Sequence, residues 1–253
     1  MTDIILEARG LTKEFKGFKA VTDVNLKVRR GTVHALIGPN GAGKSTVFNL
    51  LTKFLTPTKG QIFYKGKDIT RAKPADIALK GLVRSFQISA VFPHLSVLEN
   101  IRVALQRPLG TSYCFWKSEA SLHDLHHRAQ ELIEAVNLSS WSNHTAVELP
   151  YGRKRALEIA TTLALDPEMM LLDEPLAGMG REDIAGTAAL IKRVSADRTV
   201  LMVEHNLSVV AHLSDTITVL RRGEILAEGS YAVVSKDPQV MEAYMGTGAA
   251  AHA

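Results

Sequence analysis

The sequence predicts an α/β fold in three parts: a core of alternating strands and helices, an antiparallel β piece beside it, and an inserted run of helices. Three observations predict it. Apolar runs of strand length alternate with helical patterns before about residue 85 and after about residue 165. The stretch GQIFYKGKDI, residues 60–69, reads as an antiparallel hairpin. Between the two alternating regions, residues 88–164 are mostly of helical pattern. The expected organisation is one domain over 1–253, with 1–87 and 165–253 forming the core and β part and 88–164 the helical part.

The chain of 253 residues, 46% of them hydrophobic, is long enough to bury a sizeable core. Runs such as VHALIG and MMLL are far shorter than the roughly 18 apolar residues of a membrane span. MTDIILEARG has acids and no basic region ahead of an apolar stretch, unlike a secretory leader, so the cytosol is the expected compartment. Cys114 is the single cysteine, which excludes an internal disulfide and a thiolate metal site. The net charge of +4 comes from 30 basic and 26 acidic residues spread along the chain, too little to imply nucleic acid.

The segment VHALIGPNGAGKSTVFNLL carries the first chemistry. Val33 to Ile37 fits a buried strand, and Gly38 to Ser45 matches G-x-x-x-x-G-K-[ST] ahead of a helical pattern. Gly38, Gly41 and Gly43 let the loop backbone through Pro39, Asn40 and Ala42 curl so that its N–H groups, which Pro39 alone lacks, point inward, and the following helix, through Thr46, adds its positive end. Lys44 is placed to reach the β- and γ-phosphates of a nucleotide, and the Ser45 hydroxyl to ligate Mg²⁺.

A second group follows in MMLLDEP. Met169 to Leu172 reads as a buried strand with Asp173 at its carboxyl end, where it can hold the Mg²⁺ shell. Glu174 is expected on the opposite side of that strand, as general base for an attacking water. Together the two motifs point to nucleotide hydrolysis.

The order of phosphate loop, GLVRSFQ, LPYGRKRALEIA, LLDEP and LMVEH resembles the nucleotide-binding subunit of ATP-binding cassette (ABC) transporters over nearly the whole chain. The resemblance implies a P-loop NTPase core of RecA-like type, ATP and Mg²⁺ as cofactors, and a helical subdomain carrying the family's signature. It also implies that Gln87 touches the metal or the attacking water, that His205 contacts the γ-phosphate, and that Phe15 stacks on adenine, with Phe18 as the fallback. The signature of one subunit lies over the phosphate loop of another in this family, so a second ATPase subunit, identical or different, is implied.

The signature departs from the family's L-S-G-G-Q. Leu149 and Gly152 keep their places, while Pro150, Tyr151 and Arg153 replace serine, glycine and glutamine. Gly152 and a helix from Arg153 can still offer backbone N–H groups to phosphate, but Pro150 offers neither hydroxyl nor N–H. Arg153 is open between a phosphate contact and a solvated surface position. Gly180 stands where the family's D-loop has aspartate.

In the helical part, LSVLENIRVAL places Leu95, Leu98, Ile101 and Leu105 on one face, with Ser96 and Glu99 as a capping box. SLHDLHHRAQELIEAVNL continues the pattern; His123, His126 and His127 lack the acids of a metal site. Tyr113, Phe115 and Trp116 fit either packing between helices or a membrane partner. TVLRRGEILAEGS reads as two strands about Gly223, and DPQVMEAYMG as a closing helix.

GLVRSFQISAVFPHLSVLENI, the tyrosine of LPYGR and the ending VMEAYMG resemble ATPases of branched-chain amino-acid importers. That resemblance implies integral-membrane permease subunits as partners, a solute-binding protein indirectly, and a peripheral place on the inner face of the membrane. The same ATPase type serves urea, amide and lipopolysaccharide systems. A nucleic-acid ATPase of this fold, and a regulatory protein with weakened hydrolysis, are the other classes. Neither a basic stripe nor a tandem cassette supports the first, and Lys44, Asp173, Glu174 and His205 oppose the second.

Overall fold

The computed structural model describes residues 3–85, 91–106, 119–205 and 207–245. Gln87 and the Tyr113–Trp116 segment lie outside them. The chain divides into two compact units, Met1–Lys80 with Val194–Ala253, and Gly81–Arg193.

In the first unit, β1 (Ile4–Phe15) and β2 (Phe18–Arg29) form a long antiparallel hairpin. β1 also pairs with β4 (Lys59–Tyr64), which turns into β5 (Lys67–Asp68), so the expected hairpin at 60–69 is present. A parallel set packs in the same unit. β3 (Val33–Ile37) lies between β8 (Thr199–Glu204) and β9 (Thr216–Arg221), and β10 (Glu224–Gly229) runs antiparallel to β9. All residues of β3 and β8 are buried, as expected of apolar runs covered on both faces. The helices are α1 (Lys44–Leu51), α2 (Pro74–Leu79), α7 (Leu207–Leu213), α8 (Tyr231–Val234) and α9 (Pro238–Met245).

The second unit pairs β6 (Leu82–Ser85) in parallel with β7 (Met169–Asp173) and adds α3 (Val97–Gln106), α4 (Glu119–Ala135), α5 (Tyr151–Leu163) and α6 (Arg181–Val194). The predicted capping box opens α3: Ser96 N–H donates to Glu99 Oε2 at 2.7 Å, and Glu99 N–H to Ser96 Oγ at 3.2 Å. The expected apolar face shifts. Leu95 precedes the helix and Leu98 is half-exposed, while Val97, Asn100, Ile101 and Leu105 are buried. Asn100 takes a core position because its amide is satisfied, donating to the carbonyls of Phe92, Leu95 and Ser96 and accepting from Phe92 N–H. No helix among the described residues is long and apolar enough to cross a membrane.

Candidate nucleotide site

The phosphate loop leaves β3 at Ile37. Gly38 has no room for a side chain, since a Cβ there would lie 2.3 Å from the Leu220 carbonyl oxygen. Gly43 caps α1 at φ 97°, and its Cβ would stand 2.7 Å from Ala20 O. No side chain caps α1 and no acid lies in its first turn, so its amide end stays open to an anion. Lys44 is buried, its ammonium donating to Gly38 O at 2.7 Å and Pro39 O at 3.1 Å, while Ser45 and Gly41 are exposed. Helix α9 reaches the same loop. Burial pushes the Tyr244 hydroxyl up to about 12, with the nearby Gly38 backbone pulling the other way.

His205 joins this loop by register. Ile37 lies opposite Glu204, so Gly38 and His205 leave neighbouring parallel strands at the same end. The His205 side chain is 55% exposed, its Nδ1 3.9 Å from the buried Glu204 carboxylate. Phe15 ends β1 beside the turn and is 42% exposed, with the Lys13 ammonium 5.1 Å from its ring centroid. An aromatic that open is not a core residue; Phe18, opposite it in the hairpin, is more exposed still.

In the second unit, Asp173 ends β7, and its Oδ2 accepts from Arg84 Nη2 of β6 at 2.5 Å. Glu174 does not continue the strand. It adopts φ 44°, so strand alternation does not separate the two carboxylates; a left-handed turn does, closed by Ala177 N–H on Glu174 O at 3.1 Å. The end of β6 lies alongside, with Ser85 opposite Leu172.

The signature follows a single helical turn, 146–148, held by a capping box between Thr145 and Glu148. Leu149 is buried and Pro150 is the N-cap of α5, so the helix begins at Tyr151, two residues earlier than Arg153. Pro at a helix start costs no hydrogen bond, which is why the chain turns helical at once. Gly152 faces Asp183, whose Oδ1 would be 2.7 Å from an added Cβ. Arg153 is exposed at the surface, where its Nη1 donates to Asn137 O at 2.9 Å. Gly180 is open, with nothing within 4 Å of its Cβ direction.

The Gly81–Arg193 unit also holds what sequence reasoning missed. Arg155 is 4% exposed; it pairs with the buried Glu158 and donates Nη2 to Asp173 O at 2.9 Å. Their i, i+3 spacing with opposite charge was the available signal.

The family model described as ABC transporter matches residues 21–177, and one described as Branched-chain amino acid ATP-binding cassette transporter matches 224–250. The chain belongs to the ABC transporter family. It is 40% identical to the high-affinity branched-chain amino acid transport ATP-binding protein BraF of Pseudomonas aeruginosa, over 97% of this chain and 99% of that protein. The corresponding protein LivG of Escherichia coli K12 is 36% identical over the same shares. The ADP conformation of MJ1267, an ATP-binding cassette of an ABC transporter, matches with a TM-score of 0.85 and 32% identity, over 97% of this chain and all of that one. As an ABC ATPase, the chain is an ATP-binding protein of P-loop NTPase fold linked to transport.

Proposed function

We propose that this ABC ATPase energises a membrane importer of branched-chain amino acids, acting as one of two cassettes on integral-membrane permease subunits at the inner face of the membrane. The observation that carries the reading is the full-length similarity to BraF and LivG, whose names give that transport role. A solute-binding protein would serve the same system from outside, and the second cassette is either a copy of this chain or a different one.

In this reading Phe15 stacks on adenine and the amides from Gly38 to Thr46 cradle the phosphates. Lys44 exchanges its loop carbonyls for the β- and γ-phosphates. Ser45 and Asp173, with Gln87, would hold Mg²⁺. The donor set fits, because an exposed hydroxyl and a carboxylate are hard oxygen ligands. Bound there, Mg²⁺ would neutralise charge on the phosphoryl oxygens. Glu174 takes the proton of the attacking water, and His205, leaving its strand beside the loop, donates to the γ-phosphate. Leu149 seats the signature turn, and the α5 amides at Gly152 face the nucleotide of the second cassette.

The test is affinity isolation of tagged Glu174→Gln protein from its own membranes in Mg·ATP, followed by uptake of labelled leucine in cells lacking the chain. Co-isolation of a permease and loss of leucine uptake support the reading. Unchanged uptake of leucine, isoleucine and valine overturns the solute assignment.

A further inference from the structure

Helix α5 reaches the turn after β7 at two carbonyl oxygens. Arg155 donates Nη2 to Asp173 O at 2.9 Å, and the Tyr151 hydroxyl donates to Ala177 O at 3.0 Å. The two acceptors flank Glu174, whose own carbonyl accepts from Ala177 N–H. Tyr151 and Arg155 are four residues apart and so share one face of the helix.

Glu174 needs such a hold. At φ 44° it sits in a region that a residue with a Cβ keeps only when its surroundings over-determine it. Arg155 is itself fixed, because Nη1 pairs with Glu158, both groups being almost fully buried. A buried pair of this kind adds little net stability, since desolvation offsets the attraction, and Glu158 Oε1 has no hydrogen-bond partner. What the pair does supply is orientation: it directs the second guanidinium nitrogen at the peptide oxygen preceding Glu174. Tyr151 stands where the family signature has a glycine, and a glycine could make no such bond.

We propose that Tyr151 and Arg155 are positioning residues that pin the carbonyls of Ala177 and Asp173, at the two ends of the turn that holds Glu174, and so aim its carboxylate at the attacking water. This rests on Glu174 being the base. Because the same helix opens at Gly152, any displacement of α5 is carried to the base through these two bonds, and the departure from the family signature at Tyr151 becomes a functional feature.

Tyr151→Phe removes one oxygen and keeps the ring. Steady-state hydrolysis and ATP affinity are measured on the chain together with the membrane subunits that co-isolate with it. A bond worth one ordinary hydrogen bond predicts a kcat lower by about 3- to 10-fold, with ATP affinity within about twofold of wild type. Arg155→Lys, which keeps a charge opposite Glu158 but offers a single donor centre, lowers kcat in the same way. In a Glu174→Gln background, Tyr151→Phe leaves the residual rate unchanged, because it acts through Glu174. Wild-type kcat in Tyr151→Phe, or an equal fall in both backgrounds, overturns the clamp and leaves Glu174 as base. Wild-type hydrolysis in Glu174→Gln alone overturns the base assignment and the clamp with it.

Discussion

The Arg84 guanidinium on β6 lies 2.5 Å from the Asp173 carboxylate on β7, with both side chains more than four-fifths buried. Two parallel strands are thus joined at their carboxyl ends by an ion pair where their backbone register already aligns Arg84 with Leu171. Arg84→Met leaves a carboxylate without its partner in a site largely shielded from water. Solvent access keeps the cost below that of a fully buried pair, so the expected loss is about 2 kcal/mol, read as a lower urea midpoint with unchanged slope. An unchanged midpoint would make the pair energetically idle.

Glu174 combines a catalytic assignment with a strained backbone. Glu174→Gln keeps the shape and removes the proton acceptor, so ATP binding persists while hydrolysis falls by at least about 100-fold. Glu174→Gly relieves the left-handed conformation as well. It is expected to lose hydrolysis equally but to raise stability by about 1 kcal/mol, checked by paired denaturation and turnover measurements. A destabilised glycine variant would mean that the glutamate side chain supports the turn.

The phosphate loop separates folding from binding at two of its positions. Gly38→Ala drives a methyl group against the Leu220 backbone, which cannot rotate away, and is expected to cost about 3 kcal/mol or more. Lys44→Ala removes an ammonium that donates to the loop carbonyls of Gly38 and Pro39, and should weaken ATP binding at least about tenfold with a much smaller loss of stability. Calorimetric binding and thermal melts on the two variants distinguish these outcomes; equal losses of stability would contradict the division.

What the sequence made legible follows from periodicity. Val33–Ile37, Met169–Leu172 and the pair about Gly223 are apolar runs bounded by turn residues, and all appear as strands where expected. The Ser96–Glu99 cap was readable because its chemistry is local. The remainder depended on tertiary partners. Arg155 lies in the basic cluster GRKR, which reads as solvated charge, and only the folded chain shows that Glu158 and Asp173 O bury it. Glu174 was expected to follow strand alternation, but β7 ends one residue earlier, and no pattern in DEP announces a positive φ. Leu95 and Asn100 exchanged roles for a similar reason: three backbone carbonyls satisfy the amide, so a polar residue occupies the core face.

His34 offers a pH test of the core itself. It lies on β3, 1% exposed, with Nε2 2.7 Å from Thr218 Oγ1, and the Thr218 hydroxyl donates to Glu228 Oε2 at 2.6 Å. Thr218 has one proton to give and gives it to Glu228, so the His34 ring must donate through Nε2, which assigns its neutral tautomer. Burial lowers the imidazole to about 4. Between pH 6.5 and 4 the unfolded chain therefore binds a proton that the folded chain refuses, and stability falls as pH falls through that window. Above pH 6.5 both states are neutral and the contribution to the slope vanishes; below about 4 both are charged. The full loss is about 3 kcal/mol. His34→Leu removes the group and leaves Thr218 bonded to Glu228, so its stability should fall less steeply from pH 6.5 to 4 in urea titrations. Parallel acid limbs in the two proteins would show that the His34 ring charges in the folded state as readily as in the unfolded one.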